Sequence, residues 1–413
     1  MNYDLIVIGG GAAGFFAAIA AAEVNPKAKI SIIEKSSKVL SKVKVSGGGR
    51  CNVTHNCFEV SNLVKFYPRG QKFLKHFFHQ FNVKETVEWF SRKGVELKTE
   101  EDGRMFPVTD NSQTIINCLY DEITRLKIYL QTSVLVKDVK TCQPDLFRIS
   151  TLNSDTYFTR ALILATGGNP KLEAYSWISS LGIKIIPPVP SLFTFNVPDS
   201  DLKDLAGISV PRAVIRITGT KLEYEGPLLI THWGFSGPAI LKLSAWGARI
   251  LNEMNYNFNI QIRWLSELTE EFLRKKLEEI RFVQAKRKIS THSVFGLPER
   301  LWQRLINKSG IDVDLKWADL SRKNKNLLIE NLSRAGYTIK GKTTFKEEFV
   351  TCGGVDLSGL NKETMQSKQH PGLFFAGEVL DIDGITGGFN FQSAWTTGFV
   401  AGRNAGSYTI ENT

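Results

Sequence analysis

Apolar and polar positions alternate along the start of the chain in a way that is typical of strands joined by helices. Asp4–Ile8 is almost continuously apolar and predicts a short buried strand. Phe15–Val24 is rich in alanine and predicts a helix, which Asn25-Pro26 would end. Lys29–Ile33 predicts a second strand. A strand, a helix and a strand within about 30 residues predict a right-handed crossover and a parallel sheet.

The pattern continues to about residue 187, with one interruption. Val39–Asn56 lacks a regular period and predicts a loop. Beyond it, the periodicity predicts three helices and three strands, respectively Gly70–Gln80, Lys84–Lys93 and Ser112 to about Leu126, and Ile128–Val139, Phe147–Leu152 and Ala161–Ala165.

From about Pro187 the character of the chain changes. Prolines separate short strand-like runs such as Phe193–Val197 and Ala213–Thr218, which indicates a β-rich domain. A helical piece is expected at about 266–336. After residue 350 the chain returns to strand and helix, with a strand at Gly372–Ala376 and a helix at Ser393–Ala405. These changes predict one α/β domain, residues 1–187 and 351–413, interrupted by an inserted domain, residues 188–350.

Composition places the chain among globular proteins, because 42% of its 413 residues are hydrophobic and 23% are charged. The five cysteines are scattered without a C-x-x-C pair, which argues against a disulfide framework and against a metal site. Neither a signal peptide nor a transmembrane segment is recognisable, so we expect a cytoplasmic protein without a membrane partner.

The formal net charge of +11 is concentrated in one region. Residues 261–350 hold 19 Lys and Arg against 12 Asp and Glu, which gives +7. Three interpretations are open: a solvated helical face, attraction of an anionic substrate or cofactor, and attraction of nucleic acid.

The residues Gly9–Gly14 fit the pattern G-x-G-x-x-G between a predicted strand and a predicted helix. Glycines allow a tight turn, and the helix N-terminus offers free N–H groups to a pyrophosphate. Glu34, twenty positions after Gly14, can accept a hydrogen bond from an adenosine ribose and would repel a 2′-phosphate. The motif therefore predicts FAD or NAD rather than NADP as the bound dinucleotide.

A second glycine-rich segment, Gly377–Asn390, favours FAD. It follows a buried strand and precedes a helix, and its acidic residues can bond ribityl hydroxyl groups. Gly387-Gly388 at the helix start could direct N–H groups towards a flavin carbonyl. A protein that binds only NAD has no use for such a segment so late in the chain.

Lys42–Asn52, with the sequence KVKVSGGGRCN, is the third candidate segment. Consecutive glycines let the backbone lie flat against a planar ligand, and Arg50 and the lysines supply positive charge for a diphosphate. Cys51 could be a redox thiol or a packing residue near the flavin; it has no partner cysteine at the spacing of disulfide oxidoreductases.

The motifs together resemble the two-dinucleotide-binding-domain flavoproteins, and within these the YhiN/BaiN family of FAD-binding oxidoreductases, which includes aminoacetone-oxidase-type proteins. The resemblance spans nearly the whole chain. It is carried by Val7–Gly14, Ser46–Asn52, Gly103–Pro107, Ala165–Gly168, Leu229–Leu241, Glu348–Val355 and Gly372–Gly402.

The resemblance implies an α/β fold: a Rossmann-like FAD-binding domain with an inserted β-barrel-like domain and a helical subdomain. It also implies that the backbone of Val136 meets the adenine and that Thr166-Gly167 lines the cofactor. A second G-x-G-x-x-G and a C-x-x-C or C-x4-C pair are absent from the sequence. NAD(P)H remains possible as an electron donor, and oxidase and reductase activities both stay open.

We therefore expect noncovalent FAD and hydride transfer at flavin N5 to or from a small organic substrate. The activity would be NAD(P)H-dependent reduction of a conjugated C=C bond or oxidation of an amine. The alternatives are a flavin-dependent enzyme that modifies tRNA or another nucleic acid, and a non-catalytic FAD-binding protein. The sequence leaves open the substrate, the acid–base group and the oligomeric state.

Candidate site residues follow from the motifs and the resemblance. His232 and Cys51 are the candidates for catalysis, and no metal ligand is expected. The residues expected to line the cofactor are Gly9, Gly11, Ala12, Ala13, Gly14, Glu34, Lys35, Lys42, Ser46, Gly48, Gly49, Arg50, Cys51, Asn52, Val136, Ala165, Thr166, Gly167, Gly377, Glu378, Asp383, Gly388, Phe389 and Asn390.

Overall fold

The computed structural model describes residues 1–143, 146–198, 202–343 and 350–412. The chain divides into two compact units. Met1–Ser191 and Lys346–Thr413 form a discontinuous unit, and Leu192–Phe345 form an inserted unit.

The secondary structure alternates between strands and helices in the discontinuous unit, and strands precede most of the helices in the inserted unit. The strands are β1 Leu5–Ile8, β2 Ile30–Ile33, β3 Thr54–His55, β4 Leu97–Thr99, β5 Arg104–Pro107, β6 Tyr129–Gln131, β7 Val136–Gln143, β8 Leu146–Thr151, β9 Thr156–Thr159, β10 Ala161–Leu164, β11 Ile185–Ser191, β12 Thr194–Asn196, β13 Ser209–Ile217, β14 Glu223–Thr231, β15 Gly234–Ser236, β16 Asn257–Arg263, β17 Ala335–Lys340, β18 Lys342–Thr343, β19 Val350–Val355 and β20 Leu373–Phe375. The helices are α1 Ala12–Val24, α2 Ser41–Gly49, α3 Val60–Leu63, α4 Gln71–Phe78, α5 Val83–Arg92, α6 Ser112–Arg125, α7 Ser176–Ser179, α8 Pro238–Glu253, α9 Glu270–Val283, α10 Glu299–Lys308, α11 Arg322–Arg334 and α12 Phe389–Glu411.

A parallel sheet forms the centre of the discontinuous unit. Its strand order is β20-β10-β1-β2-β6, and every neighbouring pair is parallel. β1, β2 and β10 are buried at every position, as expected for parallel strands that are covered on both faces. This arrangement confirms the predicted α/β fold with a Rossmann-type sheet.

Helices α1 and α12 pack against each other with very small side chains at the contact. A Cβ added at Gly398, Gly402 or Gly406 would lie 2.2–2.7 Å from a backbone oxygen of α1. The carbonyls met are those of Ala13, Ala17 and Ala21, so both helices run in the same direction and approach closely along three turns. The N-terminus of α12 therefore lies at the same end of the pair as the glycine turn that precedes α1.

The discontinuous unit also contains smaller sheets. β3, β5 and β4 form one antiparallel sheet, and β7, β8 and β9 form another. β11 pairs with β19, where proline-rich and glycine-rich strands fit together. A Cβ at Gly353, whose φ is +108°, would lie 2.5 Å from the carbonyl oxygen of Pro187.

The inserted unit is built on an antiparallel sheet with its own core. The strand order is β17-β16-β13-β14-β15-β12-β18. Helices α9, α10 and α11 contribute buried leucines and isoleucines, and three tryptophans, Trp264, Trp302 and Trp317, are fully buried there. Over the ranges that the structure describes, no helix is long and apolar enough to cross a membrane.

Three predicted elements differ from the observed ones. The expected loop at Val39–Asn56 contains α2, whose first half is anchored by buried Val43 and by a hydrogen bond from the Ser112 hydroxyl group to the Lys44 carbonyl oxygen. The single strand expected at 128–139 is two strands, β6 and β7, in different sheets. The last helix begins at Phe389, before the predicted start, because Gly388 in a left-handed conformation precedes it.

Candidate functional site

The glycine turn between β1 and α1 owes its sequence to close packing at three positions and to open space at the fourth. A Cβ at Gly9 would lie 2.2 Å from the Ala165 carbonyl oxygen, and one at Gly14 would lie 1.9 Å from the Gly9 carbonyl oxygen. A Cβ at Gly10 would meet Val39 at 2.7 Å. At Gly11 an added Cβ meets nothing within 4 Å, so the turn leaves room for a ligand at the N-terminus of α1.

Glu34 at the end of β2 holds this turn. One carboxylate oxygen accepts the Gly10 N–H at 2.8 Å, and the other accepts both the N–H and the hydroxyl of Ser36, each at 2.8 Å. The Glu34 carbonyl oxygen accepts the Val134 N–H at 3.0 Å, whereas Val136 lies two residues further on, in β7 opposite Thr151. The backbone beside Glu34 is thus that of Val134, and Lys35 is exposed.

The segment after α2 forms the next wall of this groove. Ser46, Gly47 and Gly48 leave helical geometry, and the Ser46 hydroxyl group donates to the Val43 carbonyl oxygen. Gly48 and Gly49 have positive φ angles, and an added Cβ at either position meets nothing within 4 Å. The backbone here is therefore both accessible and restricted to glycine.

Arg50 is held by protein groups. Its guanidinium group lies 4.0 Å from the centre of the Phe106 ring and donates to the Glu100 carboxylate at 2.5 Å and to the Gly47 carbonyl oxygen at 3.3 Å. The hydrogen bond to Glu100 raises the pKa of Arg50. Phe106 itself packs under Gly47, where an added Cβ would approach it to 2.7 Å. β5 therefore supports the glycine segment through Phe106.

Cys51 is a packing residue in this structure. It is fully buried with φ of +62°, and its N–H donates to the Ser46 carbonyl oxygen. Burial raises the pKa of the Cys51 thiol to about 12, so the thiolate needed for redox chemistry is scarce at neutral pH. This disfavours Cys51 as a redox centre.

The carboxy-terminal piece of the discontinuous unit supplies the facing wall. Gly377 follows β20 and lies against α1, since an added Cβ would be 2.6 Å from Ala13 Cβ. Glu378 accepts a hydrogen bond from Lys42 Nζ at 2.5 Å and another from the Thr351 N–H at 2.9 Å. Lys42 and Glu378 are thereby brought together from opposite ends of the unit.

The turn after β10 lies between these walls. Ala165 is buried, Thr166 is exposed, and Gly167 has φ of +72° with open space beside its Cα. A Cβ at Gly168 would lie 2.5 Å from Thr351 Oγ1 and 2.7 Å from Glu378 Oε1. The predicted A-T-G turn thus adjoins the predicted Glu378.

The peptide between Gly387 and Gly388 is fixed on both sides. The Gly387 carbonyl oxygen lies 3.1 Å from His55 Nδ1, and the Gly388 N–H donates to the Asn52 side-chain oxygen at 2.9 Å. Asn390 bonds both backbone groups of Gly384. The Gly388 N–H, expected to face a flavin, is therefore engaged by Asn52, and the first-turn N–H groups of α12 are the donors without an intrahelical acceptor.

An aromatic cluster supports that peptide. The Phe389 ring stacks on Phe66 with centroids 4.4 Å apart, and its centroid lies 4.6 Å from that of His55. The Tyr67 hydroxyl group donates to the Phe389 carbonyl oxygen at 2.7 Å. His55 was not among the predicted site residues; its position beside Cys51-Asn52 in the sequence was the available signal.

Asp383 forms a buried ion pair with a residue that the motifs did not identify. The Arg69 guanidinium group donates to both Asp383 carboxylate oxygens, and the Ser191 hydroxyl group donates to one of them at 2.7 Å. Burial raises the pKa of Asp383, and Arg69 and Ser191 oppose that effect. The carboxylate that was expected to bind cofactor is engaged by the protein itself.

His232 lies in the turn between β14 and β15 of the inserted unit, where it is exposed. Its neighbour Trp233 is also exposed. Nothing in this turn enforces a particular protonation state, so the structure adds no support for His232 as an acid or base.

Bound FAD fits the residues present. Gly11, Gly48, Gly49 and Gly167 all border open space, and the buried Thr351 hydroxyl group has no partner among the described residues. The N-terminus of α1 suits a pyrophosphate and that of α12 suits a polar ring edge that gains negative charge. The donor set is made of backbone N–H groups and carboxylates, as a dinucleotide with free ribose hydroxyls requires.

Comparison with known proteins agrees with this geometry. A family model described as "HI0933-like protein Rossmann domain" matches residues 3–404. The chain is 28% identical over 411 residues to the 3-dehydro-bile acid delta(4,6)-reductase of Clostridium scindens, covering 97% of this chain and 98% of that protein. It is 30% identical over 414 residues to the ribosomal RNA dihydrouridine synthase of Escherichia coli, covering 98% of both chains.

A solved structure supports the fold at a lower level of identity. The 3-ketosteroid delta1-dehydrogenase of Sterolibacterium denitrificans superposes with a TM-score of 0.54 at 12% identity, covering 98% of this chain and 99% of that one. At this identity the likeness concerns the fold.

Proposed function

The chain belongs to the HI0933-like family and is an enzyme of the FAD-dependent oxidoreductase class; we propose that it reduces a carbon–carbon double bond conjugated to a carbonyl group. The observation that carries this proposal is shared by two relatives of nearly full coverage. One is named a reductase of an unsaturated bile acid, and the other is named for forming dihydrouridine, which is uridine with its ring double bond reduced. The two substrates differ, but the bond change is the same.

Binding and orientation of FAD fall to the groove residues. FAD supplies hydride chemistry when it is bound. The α1 N-terminus at Gly11 would hold the pyrophosphate, and Glu34 would accept a ribose hydroxyl. Glu378 lies at the turn after β10, where it would bind the ribityl side, and the first-turn N–H groups of α12 would face the polar ring edge.

NAD(P)H is the proposed electron donor. A reductase needs an external source of hydride, and the sequence has no second glycine motif for a nicotinamide nucleotide. An amine oxidase would instead be reduced by its substrate and reoxidised by oxygen, with release of peroxide. The two possibilities predict opposite responses to a nicotinamide nucleotide in the absence of oxygen.

An anaerobic titration of the holoenzyme with NADH and NADPH tests this proposal. We expect one of them to bleach the visible absorbance of the flavin rapidly. Bleaching by small amines, with peroxide release on admission of air and no response to either nucleotide, would instead assign an amine oxidase. A purified chain that neither contains nor takes up FAD would overturn the cofactor assignment itself.

A uracil base held in RNA is a second candidate substrate. Residues 192–345, the inserted unit, hold 24 Lys and Arg against 16 Asp and Glu, so +8 of the net +11 lies there. Positive charge of this kind favours a phosphate backbone. We expect a ribosomal RNA fragment to be retarded in a gel shift that weakens steeply with salt, and to acquire dihydrouridine. Binding without dihydrouridine would reject RNA as the substrate.

A further inference from the structure

The hydroxyl group of Thr351 is buried without a hydrogen-bond partner in the part of the chain that the structure describes. Buried hydroxyl groups are almost always bonded to protein or to a ligand, because leaving one unpaired forfeits its hydration. The backbone of the same residue is satisfied, since the Thr351 N–H donates to Glu378 Oε1 at 2.9 Å. The unpaired atom is therefore the side-chain oxygen alone.

This oxygen lies where two cofactor-lining segments meet. Thr351 is the second residue of β19 and pairs with Pro190 in β11. A Cβ added at Gly168 would lie 2.5 Å from Thr351 Oγ1, so the hydroxyl group adjoins the turn after β10. One residue earlier, Gly167 borders open space. Glu378, on the other side, carries the carboxylate that Lys42 binds.

We propose that the Thr351 hydroxyl group binds FAD, through an oxygen of the ribityl–pyrophosphate linker. A hydroxyl group can donate to a phosphate oxygen or exchange a hydrogen bond with a ribityl hydroxyl. The linker is the part of FAD expected between the α1 N-terminus, which suits the pyrophosphate, and the α12 N-terminus, which suits the ring. The inference rests on the proposed FAD dependence and adds a residue that the glycine motifs do not contain.

The dissociation constant of FAD tests the inference without reference to turnover. Equilibrium dialysis of the purified holoenzyme against decreasing FAD compares the wild type with Thr351→Val and Thr351→Ser. We expect Thr351→Val to raise the dissociation constant about threefold to tenfold, the range of one neutral hydrogen bond. Thr351→Ser keeps the hydroxyl group and should stay close to the wild type.

Thr159→Val is the matched control. Thr159 is also buried, but its hydroxyl group is bonded to the carbonyl oxygens of Ala161 at 2.8 Å and Asp4 at 3.0 Å, at the amino ends of the central strands. The same chemical change there should lower the urea midpoint of unfolding and leave the FAD dissociation constant unchanged. Thr351→Val should do the reverse, because it removes a hydroxyl group that has no partner in the FAD-free chain.

The outcomes separate this inference from the proposed function. A wild-type chain that does not bind FAD would overturn the proposed function. A wild-type chain that binds FAD, with an unchanged dissociation constant in Thr351→Val, would overturn only the role of Thr351. A Thr351→Val variant that loses both FAD affinity and urea stability in the FAD-free state would assign the hydroxyl group to folding, which also contradicts the inference.

Discussion

The Lys42 ammonium group lies 2.5 Å from the Glu378 carboxylate, although 336 positions separate the two residues in the chain. The same carboxylate accepts the Thr351 N–H, which is buried beneath it. The two contacts differ in kind, because the Lys42 side chain is 47% exposed whereas Thr351 is fully buried. Glu378 therefore joins the amino-terminal and carboxy-terminal pieces of the discontinuous unit mainly through the backbone contact.

This difference predicts unequal effects of removing each partner. Glu378→Ala should lower the free energy of unfolding by about 1–3 kcal/mol, because it leaves a buried N–H unpaired. Lys42→Met should cost less than about 1 kcal/mol, as half-exposed ion pairs do. Urea unfolding measures both. Glu378→Gln is the control, since its amide oxygen can still accept the Thr351 N–H; equal losses in Lys42→Met and Glu378→Ala would contradict the assignment.

Gly11 separates the requirements of folding from those of the ligand. Its φ of −95° suits any residue, and an added Cβ meets no protein atom within 4 Å. We expect Gly11→Ala to fold with wild-type stability and to weaken FAD binding at least about fivefold, because the methyl group occupies the space of the pyrophosphate.

Gly14→Ala is the contrasting variant in the same turn. Its Cβ would lie 1.9 Å from the Gly9 carbonyl oxygen, so the backbone must shift. We expect a loss of about 1–3 kcal/mol in unfolding free energy together with the loss of FAD. Dialysis and urea unfolding of both variants check the pair. A Gly11→Ala chain that retains wild-type FAD affinity would show that the ligand does not approach this turn.

Thiol labelling should distinguish the cysteines by burial and pKa. Cys142 is exposed, whereas Cys51 is buried with its pKa raised to about 12. At pH 8 a thiol of that pKa is ~10⁻⁴ ionised, and its labelling should accelerate as the pH rises towards 12. We expect iodoacetamide to modify Cys142 first and Cys51 only after unfolding, as followed by peptide mass mapping. Fast labelling of Cys51 in the native protein would restore the redox interpretation.

The buried pair of Arg69 and Asp383 should contribute strongly to stability when one partner is removed. Asp383→Asn leaves the Arg69 guanidinium group, whose side chain is 10% exposed, without its carboxylate. We expect a loss of about 3–5 kcal/mol in unfolding free energy at saturating FAD. Glu225→Gln, which breaks the exposed pair with Arg212, should cost less than about 1 kcal/mol. Similar losses in both variants would show that burial does not set the cost.

The local parts of the fold and site could be predicted from the sequence, and the long-range parts could not. The strand, glycine turn and helix at Asp4–Val24 are encoded by neighbouring residues, so periodicity and spacing suffice. The partners of Arg50 and Asp383 come from distant segments, and no local pattern pairs Arg50 with Glu100 or Asp383 with Arg69.

The same reason explains the residues that sequence reasoning missed. His55 meets the Gly387 carbonyl oxygen across 332 positions, and Thr351 meets the turn at Gly168 only because β19 is paired with β11. Conversely, the predicted charges of Lys42 and Arg50 were present, but both are bonded to carboxylates that composition alone could not assign to them.

The most direct test of the central claim follows reoxidation of the reduced holoenzyme without oxygen. The bound flavin is reduced with dithionite to the endpoint and mixed with a 3-keto-4-ene steroid, the matching saturated 3-ketone, or a uridine-containing ribosomal RNA fragment. We predict that the oxidised flavin absorbance returns with the conjugated ketone or the RNA and not with the saturated ketone. Failure of both unsaturated compounds, together with reduction of the oxidised holoenzyme by small amines, would contradict a reductase of conjugated double bonds.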